Sequence, residues 1–168
     1  MDVFDAVRTL LAVRQYKDEP VAEDVVRQIV EAAHLTASSM NKQPWHFVVV
    51  QNRDTLRKMG ALARTGPYIA DAALAVVVVT ERTQFAVSDA SRAIQSMMLT
   101  AWDHGIGSNW VGFMGLDAVK PLLNIPDELD VFAIVPFGKP VANIGRGNKQ
   151  RKPLGEVAHR ETFSTPFE

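Results

Sequence analysis

The sequence predicts an α+β fold in one domain: a mixed or antiparallel sheet flanked by helices around a central apolar helix. Three observations carry this. Leu74 to Val79 is continuously apolar and rich in β-branched residues, which suits a strand covered on both faces. Val26, Ile29, Val30, Ala33 and Ala37 recur at helical spacing. Ala90, Ala93, Ile94, Met97 and Ala101 form a second helical stripe, which Met98, Leu99 and Trp102 widen. A helix so apolar around its circumference belongs between sheet and helix or across a subunit interface. Helices and strands alternate without strict βαβ order, hence α+β.

Asp2 to about Leu11 reads as a short helix, and Pro20 breaks the chain before the next one. Glu23 and Asp24 sit in the first turn of that second helix, where the helix dipole favours carboxylates, and its end is expected near Ala37. Phe47 to Val50 follows as a strand entered from the Pro44-Trp45 corner. Arg53 to Ala63 is a short amphipathic helix that Asn52 or Asp54 can cap. Ser88 or Asp89 is expected to cap the central helix, which runs to about His104 and ends at Gly105. Asn109 to Phe113 and Val131 to Phe137 read as further strands, separated by a short helix ending before the turn Asn124-Ile125-Pro126. Residues 139–168 carry Gly, Pro and basic groups with little periodicity, so they either dangle or wrap around something.

Composition narrows the function classes. With 168 residues, 47% of them hydrophobic, the chain can bury a core without staples. Lys plus Arg number 18 against 19 Asp plus Glu, so no broad electrostatic footprint for nucleic acid or an anionic membrane exists. The absence of cysteine removes disulfides, thiolate metal ligands and a cysteine nucleophile. Neither a signal peptide nor a membrane-spanning stretch is visible, so a cytoplasmic, soluble protein is expected.

Several motifs fail on context. Gly105, Gly107 and Gly112 follow a helix and precede a strand, the reverse of a dinucleotide fingerprint. Gly145 and Gly147 beside Lys149, Arg151 and Lys152 look like a phosphate cradle, yet no Gly-Lys-Ser/Thr element opens a helix there. His34, His46, His104 and His159 have no metal-ligand spacing, and Ser38 and Ser39 lack a Gly-x-Ser-x-Gly frame. Residues 37–45 remain, packing hydroxyl and amide side chains between a helix end and a strand start. Such groups can hydrogen-bond a polyhydroxylated chain and the edge of a heterocycle.

Ser38-Ser39-x-Asn41-x-Gln43-Pro44-Trp45-x-Phe47 resembles the signature segment of the FMN-dependent nitroreductase family. Three more blocks follow the family's order. They are Val13-Arg14-Gln15-Tyr16 before Pro20-Val21, then Asp89 to Phe113 ending in Gly105-x-Gly107-Ser108-x-Trp110-x-Gly112-Phe113, and finally Arg151-Lys152-Pro153-Leu154.

The resemblance implies a homodimeric flavin oxidoreductase whose sites form between two subunits, with residues 139–168 as an extended C-terminal arm wrapping the dimer partner. NAD(P)H would be the diffusible donor, FMN the bound cofactor, and a nitroaromatic, quinone or similar flat small molecule the acceptor, reduced by two electrons in ping-pong fashion. It implies FMN contacts from Ser38, Ser39, Asn41 and Gln43, and places Arg14 near the N1 and C2 carbonyl edge of the flavin. There a fixed cation stabilises the negative charge that arrives with hydride. Arg151, with Lys149, matches the basic positions for the FMN phosphate, Val111 and Gly112 the backbone that approaches N5, and Arg64, beside Thr65, a looser contact. No catalytic side chain is implied, since the flavin carries the redox step.

Two departures from the family pattern stand out. Many members place a phosphate-gripping arginine where this chain has Leu11, and Arg8, one turn away, is the candidate substitute. Larger members carry a lid where only Thr80 to Val87 connects strand and helix here, so an open site is expected. Both departures motivate a second reading, a non-catalytic protein that stores or delivers FMN.

Overall fold

The computed structural model describes residues 1–112, 115–142 and 149–167. Phe113 and the glycine pair Gly145 and Gly147 lie outside these residues.

Helix α1 (Val3–Thr9) begins at Asp2, whose carboxylate accepts the Asp5 amide at 2.7 Å. Helix α2 (Glu23–His34) stops three residues before Ala37; there the Thr36 hydroxyl returns to the Ala32 carbonyl and the chain turns away. Strand β1 (Trp45–Val50) leads to α3 (Arg53–Leu62), which Asn52 caps by accepting the Thr55 amide at 3.0 Å. A 3-10 turn, Pro67–Asp71, precedes strand β2 (Leu74–Thr80). Next come α4 (Ala86–Asp103), β3 (Gly107–Ser108), a 3-10 turn Leu116–Val119, α5 (Lys120–Leu123), β4 (Asp130–Gly138) and α6 (Leu154–Val157).

The sheet runs in the order β1-β2-β4-β3, and these pairs are antiparallel. Strand β2 is buried along its whole length, as its unbroken apolar run predicts. Leu74, Val76 and Val78 face α2 and α4, packing with Ile29, Ala33, Ile94 and Met97. Ala75, Val77 and Val79 face the other way, toward Leu56, Met59 and Ile69. Each fully buried Val, Leu or Ile side chain contributes about 1.5–3 kcal/mol, so β2 stabilises the fold through both of its covered faces.

Two boundaries differ from expectation. Neither Ser88 nor Asp89 caps α4: the helix starts at Ala86, the Ser88 hydroxyl donates to the Phe85 carbonyl, and Asp89 lies within the first turn, bonded elsewhere. Asn109 to Gly112, the described part of the expected strand 109–113, is not a continuous strand. Gly107 and Ser108 pair with β4, the Asn109 amide reaches the Pro136 carbonyl at 3.4 Å, and Val111 exchanges two 2.9 Å hydrogen bonds with Ile134.

Among the described residues no helix is long and apolar enough to cross a membrane, and no cluster of three metal-ligating side chains occurs. The C-terminal residues form α6 and a His159–Pro166 bridge, leaving Leu154, Val157 and Phe163 exposed.

Candidate functional site

The structure divides the implied site residues into two groups. The first centres on Arg14. Its neighbours are fixed by backbone bonds: the Val13 amide donates to Ser108 at 2.8 Å, and the Gln15 carbonyl accepts from Val141 at 3.2 Å. Tyr16, buried one residue further, donates its hydroxyl to the Val13 carbonyl at 2.7 Å, and burial pushes that phenol above its ordinary pKa. With Val13 and Tyr16 turned inward, Arg14 stands exposed at a cleft of about 300 Å3 between residues 12–15 and 140–142. Its guanidinium lies 5.9 Å from the centre of the Tyr68 ring, within cation–π range. The Tyr68 hydroxyl in turn accepts from the buried Asn109 amide.

Val111 and Gly112 belong to this group's sheet edge. Val111 is buried, backed by Gly66, where a Cβ would come within 2.7 Å of it. A Cβ on Gly112 would come within 2.8 Å of Trp110 Cδ1, so glycine here answers local packing as well as any close-approaching ligand. Arg64 and Thr65 stand exposed in the loop after α3.

Lys149 donates to the Val7 carbonyl near the end of α1 at 2.6 Å, and Arg151 follows, exposed. Burial, then the nearby Arg151 charge, lowers the Lys149 pKa. Leu11 is half-buried, and Arg8 donates to Asp5 on its own helix.

The second group is Ser38–Gln43, the loop from α2 into β1. Met40, Asn41 and Gln43 have φ of 52°, 54° and 50°, a left-handed conformation that non-glycine residues rarely adopt. The Ser39 amide and hydroxyl both donate to Asp89, and the Gln43 amide donates to the Ser38 hydroxyl oxygen at 2.9 Å. Asn41 and Gln43 are exposed, with Gln43 Nε2 donating to Asn41 Oδ1 at 3.3 Å.

These groups do not meet within one chain. Ser38–Gln43 enters β1 at Trp45, which pairs with Thr80, itself opposite Asp130 at the start of β4. Arg14 is anchored through Ser108, opposite Phe137 at the other end. Seven residue steps of β4, from Asp130 to Phe137, separate those points, roughly 23 Å at the usual strand rise. Helix α4 gives a second measure. Ser39 is tied to Asp89 near its start, while Thr9, ahead of Arg14, accepts from Trp102 Nε1 at 2.9 Å near its end. From Asp89 to Asp103 the helix rises about 21 Å.

Tyr68, Asn109, Asp89 and Arg92 belong to these groups without having been singled out as site residues from sequence. Asp89 carried a readable signal: it lies at helical spacing from Ala86 and Ala93, a carboxylate in line with an apolar stripe. Tyr68 and Asn109 carried none, since their pairing is a through-space event between distant segments.

Comparison with known proteins agrees with this fold. A model of the nitroreductase family matches residues 11–86 and 69–139. A relative from Methanothermobacter thermautotrophicus, named for NADH dehydrogenase/NAD(P)H nitroreductase, is 33% identical over 154 residues, covering 86% of this chain and 81% of its own. One of the same name from Archaeoglobus fulgidus is 33% identical over 144 residues, covering 80% and 83%. An FMN-dependent nitroreductase from Clostridium difficile R20291 has a TM-score of 0.85 at 22% identity, covering 96% of this chain and 100% of its own, a likeness of fold. Lys149 and Arg151 lie beyond the residues matched by the family model.

Proposed function

Because this chain belongs to the nitroreductase family, we propose that it is an FMN-dependent oxidoreductase that accepts electrons from NAD(P)H and reduces a flat small-molecule acceptor such as a nitroaromatic or quinone. When bound, FMN supplies the two-electron chemistry, receiving hydride from the nicotinamide and passing the electrons on in a separate, ping-pong half-reaction. The observation that carries the reading is Arg14: an exposed guanidinium at a cleft, its neighbours pinned by backbone bonds and the Tyr68 ring centre 5.9 Å away.

The residues present fit the cofactor. Burial, with the Arg151 charge added, lowers the Lys149 pKa, and a phosphate dianion beside it would offset this. Arg14 holds positive charge where a flavin gains negative charge, and Val111 and Gly112 offer backbone to the ring. Arg64, exposed in the loop after α3, is the looser contact of this set. Ser38, Ser39, Asn41 and Gln43 offer uncharged hydrogen-bonding groups from the other end of the sheet. A site drawing on both ends requires two chains, so the functional unit is a homodimer in which each flavin takes Arg14, Lys149 and Arg151 from one subunit and residues 38–43 from the other. The exposed Val3, Phe4 and Val7 on α1, and Leu154, Val157 and Phe163 on the C-terminal arm, supply apolar surface for the partner.

The test starts with purification without added cofactor. A yellow protein with a flavin spectrum and the solution mass of a dimer is expected; a colourless monomer that cannot be loaded with FMN would overturn the reading. Arg151→Ala is expected to weaken FMN binding about 10-fold or more, the scale of losing a charged hydrogen bond. Its unfolding midpoint should stay close to wild type, because Arg151 is exposed.

A second reading, FMN storage without turnover, is favoured by Leu11 in place of an arginine and by the engagement of Arg8 with Asp5. Anaerobic addition of NADPH separates the two, because a storage protein keeps its flavin oxidised and coloured.

A further inference from the structure

Asp89 is fully buried in the first turn of α4, a position otherwise lined by Ala86, Ala90 and Ala93. Burial pushes its carboxyl up, but the amide and hydroxyl of Ser39 and the Arg92 guanidinium outweigh this and hold it below the usual carboxylate range. An ionised carboxylate only accepts. Its oxygens take the Ser39 N–H at 3.1 Å, the Ser39 hydroxyl at 3.0 Å and an N–H of Arg92.

These bonds end at the start of the segment with three left-handed non-glycine residues. Such a backbone persists only where its surroundings over-determine it. Asp89 anchors one end of the segment to the core helix, and the Gln43 amide closes the turn on the Ser38 hydroxyl oxygen. The two adjacent serines therefore differ. A hydroxyl has one proton and two lone pairs. Ser39 has committed its proton to Asp89 and one lone pair to an Arg92 N–H at 3.4 Å, so it can meet a ligand only as an acceptor through the lone pair that remains, whereas Ser38 accepts from Gln43 and keeps its proton.

We propose that Asp89 is the positioning residue of the Ser38–Gln43 half-site: its buried carboxylate takes both protons of Ser39, holds the left-handed turn against α4, and leaves Ser38 as the serine that donates to FMN. The role toward FMN rests on the flavin reading above; the hold on the turn does not.

The experiment measures amide hydrogen exchange on the flavin-free full-length chain and FMN affinity by fluorescence titration, for wild type, Asp89→Asn and Ser39→Ala. Asp89→Asn should speed exchange at Ser39 to Gln43 by about 10-fold or more and raise the FMN dissociation constant by a similar factor, with the amides of Val77 and Ile94 unchanged. Ser39→Ala, which removes one of these bonds, should move the same amides less. Should Asp89→Asn fail to fold, Ser39→Ala alone is read in the same way. Unchanged exchange at residues 39–43, or a rise shared equally by Val77 and Ile94, overturns the proposal. Failure of the wild type to bind FMN overturns the flavin reading and the donor role of Ser38 with it; the exchange pattern still decides whether Asp89 holds the turn.

Discussion

Replacing Arg14 by Ala should slow reduction of the bound flavin by NADPH about 100-fold, the scale seen when one preorganised electrostatic group is removed from a reacting centre. The expectation follows from how Arg14 is held. Val13 and Gln15 are tied to Ser108 and Val141 by backbone bonds, so the truncated side chain leaves the surrounding backbone in place. Tyr68 and Asn109 keep their mutual bond. FMN should remain bound through the phosphate and ribityl contacts, and the loss should appear in the rate constant rather than in cofactor content. Anaerobic stopped-flow absorbance at saturating NADPH measures it, and an unaltered rate would remove Arg14 from the mechanism.

A second large effect is expected at Gly107, where the cause is steric. This buried glycine pairs with Gly138 in the short β3, and a Cβ built on it would lie 2.7 Å from Val13 Cβ and 2.8 Å from Val13 Cγ1. Val13 has nowhere to go, because its own side chain is buried and its amide is bonded to Ser108. Gly107→Val must therefore lift the Val13–Arg14 segment off the sheet edge, at about 3 kcal/mol, the upper end of overpacking costs. For a chain of this length that corresponds to a thermal midpoint lower by roughly 6–12 °C. FMN affinity should fall together with the midpoint, unlike in Arg151→Ala, where it falls alone. Calorimetry and flavin titration on the same preparations check the pairing of effects.

Much of the fold was legible because burial writes a periodic record. The unbroken run in β2 and the apolar stripes of α2 and α4 are such records, and the structure returns each as an element buried where the pattern demands. Boundaries were less legible where a polar side chain had two possible partners. Asp89 reads as a cap because caps are the commonest use of an aspartate at that position, yet here it bonds a loop fifty residues away. Asn109 to Phe113 reads as a strand because it is apolar and aromatic, but between Ser108 and Val111 the ladder to β4 thins to a 3.4 Å bond from the Asn109 amide to the Pro136 carbonyl, proline having no amide to return.

The candidate site was legible as a set of residue types in chain order, through the segments around Arg14, Ser38 to Gln43, Val111 and Arg151. Its division into two groups at opposite ends of β4 was not, since strand pairing decides it and no local pattern encodes that pairing. Tyr68 under Arg14 was missed for the same reason.

The length of α4 has a genetic consequence. In the proposed dimer each chain lends its two ends to different flavins, so damage at one end leaves that chain able to serve at the other. A subunit altered only at Arg14, paired with one altered only within residues 38–43, would concentrate both lesions in one cofactor site and rebuild the other intact. Two inactive alleles would then complement each other in the mixed dimer, at no more than half the sites.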